Sequence, residues 1–88
     1  MLTVCGKTSD DKLVVRGVFA FYETHGLALD VIFEALMAHG YIPDWRAFMD
    51  EATKAGMQPS RVLSMLDPAI VDSYGSAMRD VVLGRLSV

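Results

Sequence analysis

Residues 9–22 read Ser9-Asp10-Asp11-Lys12-Leu13-Val14-Val15-Arg16-Gly17-Val18-Phe19-Ala20-Phe21-Tyr22, and the class of the fold turns on them. Val15, Val18, Phe19 and Tyr22 stand at i, i+3, i+4 and i+7, the spacing of one helical face. Ser9, Asp10 and Asp11 supply the N-cap and first-turn acids with which helices open. Against this, Val14, Val15 and Val18 are β-branched and Gly17 interrupts the run, which suits a hairpin of Leu2–Cys5 against Leu13–Val18. The periodicity favours a helix over residues 10–25, with the hairpin as the alternative. Residues 1–9 are then either a flexible tail or a short hairpin strand.

Downstream, three junctions share one grammar: His25-Gly26-Leu27-Ala28-Leu29-Asp30, His39-Gly40-Tyr41-Ile42-Pro43-Asp44 and Ala55-Gly56-Met57-Gln58-Pro59-Ser60. In each, a Gly able to take the left-handed conformation ends a helix, and an apolar residue folds back on the last turn. An Asp or Ser four places after the Gly is set to cap the next helix. Asp67-Pro68 reads as a cap followed by Pro at the first helical position, and Tyr74-Gly75-Ser76 as a further stop and start. The expected helices are 10–25, 28–39, 44–55, 60–66, 68–74 and 76–86. That is an all-α fold, a compact bundle of five to six short helices joined by tight Gly-containing corners, with 1–88 as a single domain.

Composition narrows the function. Eighty-eight residues that are 52% apolar with a net charge of −3 are too hydrophobic for intrinsic disorder. The longest apolar run, Val18 to Tyr22, is too short to cross a bilayer, and the N-terminal stretch lacks the layout of a signal peptide. A cytoplasmic protein without a membrane partner is expected. A domain this small hides only about 60–65% of its unfolded surface, so an apolar chain leaves large side chains for a partner.

Catalytic and cofactor chemistry finds little support. His25 and His39 each precede a helix-ending Gly, where an imidazole serves the free carbonyls and the helix dipole. With Asp30 and Glu34 they match no helical metal-ligand spacing. Cys5 is the single cysteine, and no phosphate loop, nucleophile elbow or Cys-x-x-Cys occurs. No enzyme, metal or cofactor is expected.

Two surfaces remain. Residues 44–55 place Trp45, Phe48 and Met49 on one face with Asp44, Asp50 and Glu51 at its rim, a set rich in the residue types of protein-binding hot spots. Residues 28–39 are apolar on nearly every side, which suits a central helix or a homo-oligomer contact. The stretch FMDEATKAGMQPSRVLSMLD, residues 48–67, resembles the helix-turn-helix of phage-repressor-like DNA-binding domains, with Ala52 at the crossing, Gly56 at the turn and Val62 and Met65 inward. The resemblance implies a recognition helix near 58–66, with Gln58, Ser60 and Ser64 at base edges and Arg61 at phosphate or guanine. Residues 44–66 carry three cations and three acids, so no phosphate-binding stripe accompanies it. The leading expectation is a small non-enzymatic helical protein-interaction module, a regulator or inhibitor that binds another protein. In size and class it is similar to small phage-encoded regulators. A helix-turn-helix transcription regulator is the alternative.

Overall fold

A computed structural model describes residues 2–87. In chain order the elements are β1 (Thr3–Lys7), β2 (Leu13–Arg16), α1 (Val18–His25), α2 (Leu29–Ala38), β3 (Tyr41–Pro43), α3 (Trp45–Lys54), α4 (Pro59–Tyr74) and α5 (Ser76–Leu86). The strands form one mixed sheet in the order β1-β2-β3, with β1 antiparallel and β3 parallel to β2. Five helices on a three-stranded sheet make an α+β fold, which corrects the all-α expectation.

The first correction lies in residues 9–22. Ser9, Asp10 and Asp11 occupy a hairpin turn and cap no helix: the Thr8 N–H donates to the Lys12 carbonyl at 2.8 Å, and Asp11 has φ of 75°. Thr8 and Lys12 both reach the Asp10 carboxylate, which is held at a pKa of about 2 mainly by the Lys12 hydrogen bond. Gly17, at φ 89°, then swings the chain from strand into helix, a conformation that strains any residue with a Cβ. Val15 reaches the core from β2, and Val18 and Phe19 reach it from α1. Two elements thus produce the spacing of one helical face.

The second correction is at Gly40. Its left-handed turn closes α2, but the chain goes on as strand β3. The Leu13 N–H donates to the Gly40 carbonyl at 2.9 Å, and the Asp44 N–H donates to the Val15 carbonyl at 2.8 Å. Pro43 is tolerated because β3 is an edge strand. The third concerns Asp67-Pro68, which starts no new helix. Val62, Leu66, Ala69, Ile70 and Ser73 form one continuous buried line through it, so the expected helices 60–66 and 68–74 are the single α4. Pro68 and Ser64, whose helical hydrogen bond is lost, both lie exposed.

An aromatic cluster holds the helices together. Phe33 of α2 meets Trp45 at 5.4 Å, Phe48 at 6.3 Å and Tyr74 at 6.1 Å between ring centroids, and Phe19 meets Phe48 edge-on at 5.4 Å. Leu29, Ile32, Phe33 and Leu36 bury one side of α2, whereas Val31 and Met37 stay exposed on the other. Among the described residues no helix is long and apolar enough to cross a membrane.

Candidate functional site

Where β3 runs into α3, the chain passes under α5 and leaves a groove of about 540 Å³. Its floor includes Val14, Ile42 and Pro43, and Trp45 stands at the first position of α3. The facing wall is α5, through Met78, Val81, Val82 and Arg85. Those four stand at i, i+3, i+4 and i+7, so the wall is one helical stripe, about 10 Å long at 1.5 Å per residue. Val81 is 49% exposed there.

Asp44, which joins β3 to α3, also lines the groove. Its carboxylate accepts from the Ala47 N–H at 3.0 Å, capping α3, and pairs with the Arg16 guanidinium at 3.1 Å. Partial burial pushes its pKa up, but the Ala47 N–H and Arg16 outweigh that and hold the carboxyl below its usual range. Asp44→Ala is expected to cost about 1–2 kcal/mol of stability at neutral pH, chiefly as a lost cap. A carboxyl depressed in the folded state contributes above its unfolded pKa and stops contributing as pH falls through the folded value. The difference between wild type and variant in urea unfolding is therefore expected to shrink below about pH 4.

Tyr74 backs the Trp45 ring, with centroids 5.9 Å apart and planes nearly perpendicular. Its hydroxyl donates to the Tyr41 carbonyl at 3.2 Å, tying α4 to β3. Burial pushes the phenol up to about 12. The folded state thus keeps a proton that the unfolded chain releases near pH 10, and stability falls as pH rises from about 10 to about 12. Tyr74→Phe is expected to remove the phenolate absorbance step near pH 12 and to flatten that alkaline loss of stability.

The sequence-derived surface is only partly assembled. Trp45 is half-buried and lines the groove, but Phe48 and Met49 are buried in the core and face no partner. Of the acidic rim, Asp50 is exposed, Asp44 is engaged as described, and Glu51 points inward. The Glu51 carboxylate accepts from the Gly17 N–H at 3.1 Å and the Ala20 N–H at 3.4 Å, covering the start of α1, which no side chain of its own caps. The helix-turn-helix residues Gln58, Ser60, Arg61 and Ser64 are all exposed at the start of α4, with Ala52 and Val62 buried between α3 and α4.

No family model matches the chain, and comparison with curated proteins and with solved structures finds no match.

The α5 wall escaped the sequence reading. Its signal was present: Ala77, Met78, Val81, Val82, Leu83 and Leu86 surround α5 with apolar side chains, more than one face can bury. The groove also has a polar end. The Arg46 guanidinium donates to the Arg85 carbonyl at 3.4 Å, bridging the start of α3 to the last turn of α5. Among the described residues Arg46 and Arg85, like Lys54 and Arg61, have no carboxylate within ion-pair distance, whereas Lys7, Lys12, Arg16 and Arg79 all do. Among the described residues, too, no group of three His, Cys, Asp or Glu side chains is placed to hold a metal ion. His39 is used locally, its Nδ1 donating to the Ala35 carbonyl at 2.8 Å, and His25 packs on Phe21.

Proposed function

We propose that the chain is a non-enzymatic protein-interaction module, a regulator or inhibitor that seats a segment of another protein in the groove between α5 and the β3–α3 junction. One observation carries the reading: Val81 stands half-exposed in the wall of a groove whose other apolar side chains, among them Ile42, Pro43, Val82 and Leu86, are covered or half-covered. Apolar walls ending in a few polar groups are the usual form of a recognition groove, and a straight helical stripe suits an amphipathic partner helix. A cytoplasmic setting fits the free, exposed Cys5.

Trp45 is the single Trp and therefore an internal reporter. Selection from displayed random peptides of about 12 residues, some three helical turns, is expected to enrich sequences that shift its fluorescence on binding. Enrichment of nothing, or only of peptides that leave Trp45 unchanged, would refute the groove.

A second reading, DNA contact through the start of α4, is favoured by the shared exposure of Gln58, Ser60, Arg61 and Ser64. It requires a gel shift that weakens with salt and is lost in Arg61→Glu. An unshifted duplex at low salt ends it.

A further inference from the structure

The groove is not symmetrical along its length, and the asymmetry bears on what enters it. Toward Met78 its walls are apolar, while at the other end the Arg46 guanidinium reaches the backbone carbonyl of Arg85, and both residues line the groove. Among the described residues neither guanidinium has a carboxylate within ion-pair distance, so both can pair with a negative charge that enters the groove. The groove's own acid, Asp44, is already committed to the Ala47 N–H and to Arg16. Asp80, beside Val81 in sequence, is paired with Arg79. In a chain of net charge −3, this end therefore offers two guanidiniums beside an apolar trough, with Asp50 and Glu51 bordering Arg46 on its far side.

Resting on the protein-binding reading above, we infer that the occupant is an amphipathic helical segment with its carboxylates gathered at one end. Its apolar face lies along Met78, Val81 and Trp45, and its carboxylates meet Arg46 and Arg85. Guanidinium donates to carboxylate through paired N–H groups, so the Arg end sets the direction in which the segment lies. The stripe from Met78 to Arg85 spans two turns, which places the partner's acids about 10 Å from its first apolar anchor.

The test uses the peptides enriched on the full chain. Acidic peptides with apolar residues at i, i+3 or i+4 and i+7 are expected to dominate. The best of them is then compared with its amide counterpart, Asp→Asn and Glu→Gln, by titration of Trp45 fluorescence. The amide peptide is expected to bind wild type at least about tenfold more weakly, the scale of one lost charge-assisted hydrogen bond. Raising salt from about 50 to about 500 mM is expected to narrow that difference. The double variant Arg46→Gln/Arg85→Gln is expected to bind both peptides alike, with far-UV circular dichroism reporting its fold. If that variant does not fold, the two peptides on wild type decide. Enrichment of neutral or basic peptides that still shift Trp45, or equal affinity for acid and amide forms, overturns this inference and leaves the groove standing. A selection that yields no Trp45-shifting peptide overturns both.

Discussion

Phe33→Ala is expected to be the most damaging single change in the chain, costing about 3–5 kcal/mol of stability. Phe33 is fully buried, and its ring meets Trp45, Phe48 and Tyr74 within 5.4–6.3 Å. Truncation removes the transfer energy of the ring and leaves a cavity that three rigid aromatic neighbours cannot collapse to fill. The edge-to-face pairs add about 0.5–1.5 kcal/mol each beyond area burial. A domain of this length has a total stability of roughly 4–13 kcal/mol on the usual per-residue scale, so the loss takes a large part of it. Thermal unfolding followed by circular dichroism is expected to drop by at least about 12 °C. A drop of only a few degrees would mean that the aromatic cluster is not the centre of the core.

Val81→Asp is expected to act in the opposite manner, sparing the fold and removing the function. Val81 is 49% exposed on α5, so its loss costs little packing. The introduced carboxylate lies four residues before Arg85, where a helical ion pair returns about 0.3–0.5 kcal/mol. Stability is therefore expected to stay within about 0.5 kcal/mol of wild type. Binding of a selected peptide is expected to weaken by at least about tenfold, since the apolar wall is broken and Arg85 is already neutralised. Unchanged affinity in this folded variant would place the binding surface elsewhere. Because Phe33→Ala disturbs Trp45 through the core while Val81→Asp does not touch the core, the pair separates loss of fold from loss of site.

How much of the fold is legible in the sequence depends on the range over which each signal acts. The positive-φ stops at Gly26, Gly56 and Gly75 and the Asp44 cap of α3 are contacts within a few residues, and the reading of them matches the structure. Gly40 is a left-handed stop too, but the conformation of the next three residues depends on a partner far away. Tyr41-Ile42-Pro43 is a strand only because β2 offers it a ladder, and no local preference in three residues ending in Pro announces that. At Asp67-Pro68 the local signal pointed to a helix start, and the buried line through Leu66, Ala69 and Ile70 overrode it. Glu51 reads as a solvent-facing acid on its own helix, and becomes the cover for α1 only once α1 and α3 pack together.

The amino-acid sequence by itself determined where most helices lie and where they stop, because capping and left-handed glycine are chemistry between near neighbours. It also determined that an 88-residue chain this apolar cannot hide all its large side chains. Only the tertiary structure decided that residues 13–16 are a strand, since a strand completes its hydrogen bonds on segments distant in the chain. Only it decided which apolar residues remain outside. Phe48 and Met49 went into the core, while Val81 and part of Trp45 stayed in a groove assembled from β2, β3, α3 and α5. Exposure belongs to the surfaces that meet, and no single segment contains both.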